Sequence, residues 1–335
     1  MLVRSGRIHY ANAGAIRLLG EDCVNKSLKS LFGPEVAGTQ AGSFIAGAAV
    51  GGKRCILRMS RMDGDRILFL TRAEAVPGVL NEPFLYALRS SLMSVGMCAD
   101  RIRERAESLE DSGLLEVAAR LTRSHFQLIR MTNNASLVMD MAGDAPLITE
   151  TAVNASQLCR ELLEAAKYFC PQIRLVTDLG ENVSCSTDPA MLRQLLLNLL
   201  SNCLSHAQCH TVSVRLLEAG ETVILSVDDD GCGIEPGRLH TVFDRYRHGF
   251  EIGNLHAGAG LGLTAVRRIV EAHGGALLLE SRPGRGTTVR ASFARHAKGS
   301  GGFHSPQTGL DCTRDVLIGL SDGLPIECYS EKYMD

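Results

Sequence analysis

Several common features are missing from this chain, and each absence narrows what the protein can be. No run of 18 apolar residues occurs, so no segment is a candidate transmembrane helix. The opening residues, Met1-Leu2-Val3-Arg4-Ser5-Gly6-Arg7, are too polar for the apolar stretch of a secretory signal. There is no long basic run and the net charge is -2, which offers little to neutralise nucleic-acid phosphates. Eleven cysteines are scattered from Cys23 to Cys328, an odd number with no C-x-x-C pair, and this suits a reducing compartment better than a disulfide framework. Cys203, His206, Cys209 and His210 fall close together, but not at a standard zinc spacing. A soluble cytoplasmic protein without a nucleic-acid partner is the expectation.

What is present is enough for two or three small domains, since 335 residues with 45% apolar content can build a core in each. The most informative stretch is Asp228-Asp229-Asp230-Gly231-Cys232-Gly233-Ile234, at the end of a strand-like run over 222–227. Two glycines one residue apart let the backbone take φ > 0 or approach a ligand, and the carboxylates before them can accept from an amine. Taken alone, the same pattern also suits a plain loop or part of a Ca²⁺ site. Upstream, 191–207 reads as a buried amphipathic helix with Asp188 as N-cap and Pro189 at its first position. Asn198 and Asn202, four apart, share one face, where they line a polar cavity, hold a cation, or bond to nearby backbone. Downstream, Gly258-Ala259-Gly260-Leu261-Gly262-Leu263 opens a helix over 261–273, whose free N–H groups suit phosphate oxygens. Gly284-Arg285-Gly286-Thr287-Thr288 then starts a closing strand over 288–293, with hydroxyls that reach a ligand or simply suit a β-surface.

In this order and spacing the four segments resemble the N, G1, G2 and G3 boxes of the ATP-binding domain of sensor histidine kinases, a superfamily that includes gyrase, the heat-shock chaperone and the mismatch-repair ATPases. The resemblance covers 147–293. It implies that Asp229 binds the adenine amino group, that Asn202 holds Mg²⁺ on the ATP phosphates, and that Asn198 stands one turn away. It also implies a base pocket from Gly231, Gly233 and Ile234, and a phosphate cradle from Gly258, Gly260, Gly262 and the amides of Leu261 and Leu263, with Thr287 and Thr288 closing the site. Val242-Phe243-Asp244-Arg245-Tyr246 resembles the F box, which brings Phe243 and Tyr246 to the site and makes 235–257 a lid. Ser205 stands where relatives usually carry Lys, and His206 follows where an aromatic or His is usual. Strands near 147–153, 173–178, 183–186, 211–217, 223–228, 276–281 and 288–293, and helices near 155–169, 189–206 and 261–273, predict an α/β sandwich over 146–297.

Before this region come two further units, so the whole chain reads as a multidomain α+β protein. Residues 1–75 suggest a small α+β domain: a strand over 7–10, Asn12 capping a helix over 13–19, a helical turn over 26–31, and strands over 54–59 and 66–71 around the hairpin signal Asp63-Gly64. Gly6-Arg7-Ile8-His9-Tyr10-Ala11-Asn12 and Leu18-Leu19-Gly20 resemble the start of a PAS sensor domain, and a dimerising or signal-relaying domain without a ligand is the equal alternative. Across 82–141, Leu85, Leu88, Leu92, Val95, Ala99, Ile102, Ala106 and Leu109 form a heptad seam. Leu114, Ala118, Leu121, His125, Leu128, Thr132, Ala135 and Met139 continue it after a break at 110–113. Two such helices predict a hairpin that builds a four-helix bundle in a homodimer.

That hairpin resembles the dimerisation and phosphoacceptor domain of histidine kinases, with Tyr86-Ala87-Leu88-Arg89-Ser90-Ser91-Leu92 over the H box. Leu88, Arg89 and Leu92 agree with the usual form, but Tyr86 stands at the phosphoacceptor position and Ala87 where an acidic residue assists. Imidazole is a nucleophile at neutral pH, whereas a phenol with a pKa near 10 needs a base to attack phosphorus. His125 is the sole histidine of the hairpin and a displaced acceptor in principle, although its seam position suits a packed side chain. Three readings follow: an ATP-binding sensor kinase degenerate in autophosphorylation, a phosphotransferase using Tyr86, His125 or a partner residue, and an interaction protein whose boxes serve packing. The first is preferred because the usual acceptor and its acidic neighbour are both absent. A response regulator or other signalling protein is the expected partner. Residues 298–335 read as a flexible linker, 298–302, and a tail that forms a hairpin around Ser321-Asp322-Gly323 or none.

Overall fold

The computed structural model describes residues 2–11, 16, 23–32, 43–50, 53–62, 65–72, 82–140, 151–206, 208–239, 261–295 and 311–330. At the N-terminus lie strands β1 (Leu2–Arg4) and β2 (Arg7–Tyr10), helix α1 (Leu28–Phe32), and strands β3 (Ser43–Val50), β4 (Lys53–Met62) and β5 (Asp65–Arg72). The strands run antiparallel in the order β2-β1-β5-β4-β3. Met62 pairs with Asp65 across the two-residue gap at 63–64, the register an Asp-Gly hairpin requires. Val3, Ile8, Leu28 and Phe32 are buried together with Cys23. The helix expected over 13–19 lies outside the described residues, Ile16 excepted. β3 occupies a Gly/Ala-rich stretch in which no strand was expected, because glycine and alanine carry little β-preference of their own. Its pairing on both edges decides its conformation: β4 on one side and β11 (Ala276–Arg282) on the other, with Ala48 opposite Ala276.

The hairpin consists of α2 (Glu82–Ser108) and α3 (Ser112–Asp140). The chain reverses at Glu110, whose φ is 51, and Asp111 Oδ1 caps the next helix by accepting from the Leu114 amide at 3.0 Å. Leu85, Leu92, Ala99 and Ala106 are buried, one residue per heptad, whereas Val95 and Leu109 remain 36% and 54% exposed. Met93 and Met97 are also exposed, at 70% and 63%. Packing within the chain therefore buries every second seam residue of α2, leaves Leu88 and Ile102 half-buried and exposes Val95 and Leu109. α3 also turns Ala119, Phe126, Leu137 and Val138 into the main core.

That core belongs to the third unit. Its elements are β6 (Thr151–Asn154), α4 (Ala155–Phe169), β7 (Arg174–Leu179), β8 (Ser184–Thr187), α5 (Pro189–His206), β9 (Thr211–Ala219), β10 (Thr222–Asp229), α6 (Pro236–Leu239), α7 (Leu261–Ala272), β11 and β12 (Gly286–Ala294). The order β11-β12-β10-β9-β7 continues from β3, so ten strands form one sheet, antiparallel except for β7 with β9. β6 and β8 pair separately. Caps set the helix starts: Asn154 accepts from the Gln157 amide at 3.0 Å, and Asp188 from those of Ala190 and Met191 at 2.9 and 3.3 Å. His273 ties the end of α7 to the start of α5, its Nε2 accepting from the Asp188 amide at 3.1 Å and its Nδ1 donating to Ile269 O at 2.7 Å. Leu158, Leu162, Leu195, Leu199, Val266 and Ile269 bury one helical layer against the sheet.

The tail is helical, not a β-hairpin: α8 (Asp311–Gly319) is followed by a tight turn and a 3₁₀ segment, Ile326–Tyr329. Val316, Leu317, Leu320, Leu324 and Tyr329 are buried, an i, i+1, i+4, i+8 pattern over the first four that suits helical turns and not the alternation a strand needs. Tyr329 donates to Leu317 O at 3.0 Å and its ring meets Phe126 edge-on at 5.9 Å. Arg123 of α3 donates to Ser321 O at 3.1 Å, and Arg193 of α5 pairs with Asp315 at 3.2 Å. The tail thus joins the hairpin to the third unit.

Candidate functional site

The turn after β10 is built by backbone geometry that only glycine allows at two points. Gly233 has φ +69, and a Cβ there would lie 2.1 Å from Arg282 O. Gly286 has φ +88, and a Cβ there would lie 1.8 Å from Asp229 O. The two segments consequently press together, with Asp229 opposite Thr287 and Asp228 opposite Thr288 in the ladder. Asp229 Oδ1 accepts from the Gly231 amide at 3.0 Å and the Thr287 amide at 3.2 Å. Its Oδ2 meets only the Cys203 thiol, at 3.8 Å, among the described contacts, which leaves a fixed acceptor oxygen for a ligand donor. Burial pushes the Asp229 pKa up, against the two backbone donors that pull it down. Asp230 has the opposite role: its Oδ1 accepts from the Thr211 and His210 amides, and these bonds hold its pKa low.

Thr287 and Thr288 divide their work. Thr288 Oγ1 donates to Asp228 Oδ1 at 2.6 Å, a bond within the sheet. Thr287 Oγ1 lies 2.9 Å from Ser281 Oγ, which accepts from the Ile234 amide at 2.8 Å and donates to Gly286 O at 3.0 Å. Ser281, which the sequence reading missed, fixes the Ile234 side of the turn.

On α5, Asn202 has an Nδ2 that is buried without a partner among the described residues, and so has the Ser205 hydroxyl. Asn198, four residues earlier, is 2% exposed and engaged: Asn198 Nδ2 donates to Asn134 Oδ1 at 2.8 Å and Asn134 Nδ2 returns to Asn198 Oδ1 at 3.0 Å. Gln194 Nε2 adds a bond to Asn134 Oδ1 at 2.9 Å. A Cβ on Gly262, in the first turn of α7, would lie 3.3 Å from Asn198 Oδ1 and 3.7 Å from Arg130 Nη2. The first turn of α7, with Leu261, Gly262 and Leu263, therefore stands beside the α5 amides and a guanidinium from the hairpin. Free N–H groups at such a helix start suit anionic oxygens, and so does the unpaired Asn202 Nδ2 donor.

The structure groups Asp229, Gly231, Gly233, Ile234 and Thr287 at the end of β10 and sets Asn198 of the α5 face that also carries Asn202 beside Gly262, in the turn with Leu261 and Leu263, whereas Thr288, expected at the site, alternates with Asp228 onto the other face of the sheet. Gly258, Gly260, Phe243 and Tyr246, with most of the expected lid, lie outside the described residues, as does the side chain of His206. Tyr86 falls in the first turns of α2, its side chain outside the described residues. His125 is elsewhere: 6% exposed, it packs on Gly96, where a Cβ would come within 2.7 Å of its Nε2, and it lines a cavity of about 410 Å³ with Arg89, Met93, Met97 and Arg314. Burial, Arg314 and Asp100 act on it in that order, with a net lowering of its pKa. Arg130 and Asn134 were not legible beforehand, because nothing local marks a residue on a distant helix as a site neighbour.

Comparison with known proteins agrees with this geometry. A family model described as histidine kinase-, DNA gyrase B-, and HSP90-like ATPase matches residues 187–297. That segment, a third of the chain, is similar to the ATPase domains this family model describes. Its span opens just before the Asp188 cap and includes α5, β10, α7 and β12, the elements that carry the candidate site. Among curated proteins, the chain is similar to the sensor protein TorS of Escherichia coli, 35% identical over 113 residues, covering 33% of this chain and 12% of that protein. It is also similar to the sensor histidine kinase ZraS of Salmonella typhimurium, 30% identical over 210 residues, covering 60% of this chain and 42% of that protein. The matched segments thus span less than half of each of these two relatives. The ATP binding domain of PrrB from Mycobacterium tuberculosis is 21% identical, covers 44% of this chain and 99% of that chain, and superposes with a TM-score of 0.37. No described helix is long and apolar enough to cross a membrane.

Proposed function

We propose that the ATPase domain binds ATP with Mg²⁺ and that the chain is a signalling protein of the sensor histidine kinase type that has lost histidine autophosphorylation. The observation that carries the reading is Asp229: two backbone donors hold one carboxylate oxygen while the other is left as an acceptor at the glycine turn. In this reading that oxygen takes the adenine amino group, and Gly231, Gly233 and Ile234 line the base. Asn202 holds Mg²⁺, whose role is to neutralise the phosphate charge. The α7 amides of Leu261, Gly262 and Leu263 face the phosphates.

Loss of phosphotransfer rests on the hairpin. Tyr86 holds the acceptor position without an acidic neighbour, and His125, the other candidate, is buried on Gly96 rather than presented to the ATPase domain. The exposed seam residues Val95 and Leu109 support a homodimer through the hairpin. The N-terminal α+β unit, PAS-like in our reading, joins the edge of the ATPase sheet through β3 and supplies a route for a signal. Its partner is a response regulator or another signalling protein.

Incubation of the purified chain with γ-labelled ATP and Mg²⁺, alongside equilibrium binding of an ATP analogue, tests the reading. Binding without label is the expected result. Acid-labile, base-stable label would overturn the loss of histidine chemistry, and acid-stable label would point to Tyr86 or another hydroxyl acceptor.

A further inference from the structure

The tail ends at a place where a phosphate would compete with it. Arg130 of α3 is largely enclosed, with 12% of its side chain exposed, and Nη1 is paired with the Asp322 carboxylate, itself 14% exposed. Nη2 reaches toward the first turn of α7, 3.7 Å from a Cβ placed on Gly262, while Nε has no partner among the described residues. The same tail turn meets the end of α5: a Cβ on Gly323 would lie 3.3 Å from Ser205 Oγ. Ser205 is the position where relatives of the ATPase domain usually carry a lysine, and its hydroxyl is buried without a partner among the described residues. So the chain has a serine at position 205 of α5, places a guanidinium from the hairpin beside the first turn of α7, and covers it with a carboxylate from its own tail.

We propose that Arg130 and Asp322 form a nucleotide-sensitive latch, in which the terminal phosphate of ATP competes with Asp322 for the Arg130 guanidinium. The inference rests on the ATP reading above and adds how binding is felt outside the ATPase domain. A buried guanidinium needs an anion, and a planar donor fork suits carboxylate and phosphate alike. Exchanging one for the other costs little, while leaving it unpaired costs much. When the phosphate takes the guanidinium, Asp322 loses its partner and the 321–324 turn is released from α3 and α5. Arg130 is a positioning and sensing residue here, and a diphosphate, which lacks the terminal group, does not shift it.

The experiment compares a non-hydrolysable ATP analogue with ADP on the full chain, wild type, Asp322→Asn and Arg130→Gln, by calorimetry with Mg²⁺ and by hydrogen exchange over 311–330. The Asp322→Asn chain should bind the analogue on the order of tenfold more tightly with ADP little changed, and Arg130→Gln on the order of tenfold more weakly, the effect of one charge-assisted bond. In the wild type, the analogue but not ADP should speed exchange in the tail. Thermal melts establish that each variant is folded, and Arg130→Lys, which keeps the charge, serves if Arg130→Gln is not. A wild-type chain that binds neither nucleotide overturns the ATP reading and the latch together. Normal binding with equal analogue-to-ADP ratios in all chains, or tail exchange that ignores the analogue, overturns the latch alone.

Discussion

Substituting Asp229→Asn isolates the base contact from the fold. Asparagine keeps an oxygen where Oδ1 accepts from the Gly231 and Thr287 amides, at 3.0 and 3.2 Å. What changes is the other position, where an acceptor becomes an NH₂ donor facing the proposed adenine amino group. Losing a hydrogen bond to a charged acceptor removes about 1.5–3 kcal/mol, and setting two donors against each other adds roughly 1–2 kcal/mol of unsatisfied desolvation. Together these predict a loss of about 3–4 kcal/mol, a weakening of roughly two to three decades in Kd. Stability should behave differently. Because burial raises the Asp229 pKa above its unfolded value, the folded state holds more protons between the two values, so Asp229 lowers stability as pH rises through that window, and the loss stays constant above it. The asparagine chain escapes this, and without nucleotide its Tm at neutral pH should be no lower than that of wild type. Calorimetric titration with an ATP analogue and a thermal melt at pH 7 test both halves. Unchanged affinity in a folded variant refutes the adenine assignment, and a large fall in Tm refutes the view that the two backbone bonds carry the structural role.

Three further outcomes follow from the geometry. Gly233→Ala puts a Cβ 2.1 Å from the Arg282 carbonyl oxygen in a left-handed conformation, and should cost at least about 2 kcal/mol in a denaturant melt; a wild-type-like midpoint would contradict the close approach of the two segments at this turn. Asn134→Ala leaves the Asn198 and Gln194 amides without their shared partner and should cost about 1–3 kcal/mol, with little added by Asn198→Ala in the same chain if the pair acts as a unit. Light scattering should find the full chain dimeric, and Val95→Glu with Leu109→Glu, at the exposed seam positions of α2, should give monomers; a monomeric wild type would sink the bundle.

What the sequence alone determined was local. Asp188 before Pro189 marks the start of α5, and the amide cap at 2.9 Å bears out that reading because capping is settled within three residues. The glycine turn at 231–233 was legible for the same reason: φ > 0 and close backbone approach call for glycine whatever surrounds them. The heptads of the hairpin were legible as helices, yet only the packing shows which seam residues of α2 are buried inside the chain and which are left at the surface. β3 and the tail helix were not legible. The first is a glycine- and alanine-rich strand held by its neighbours, and the second takes its burial from α3, α4 and α5, more than a hundred residues earlier. The same holds for the Asn134–Asn198 pair, 64 residues apart, and for Arg130 with Asp322, 192 apart. Turns, caps and periodicities are written in neighbouring residues, whereas a buried amide or guanidinium finds its partner only when the chain has packed, and that is where tertiary structure decided what surrounds the site.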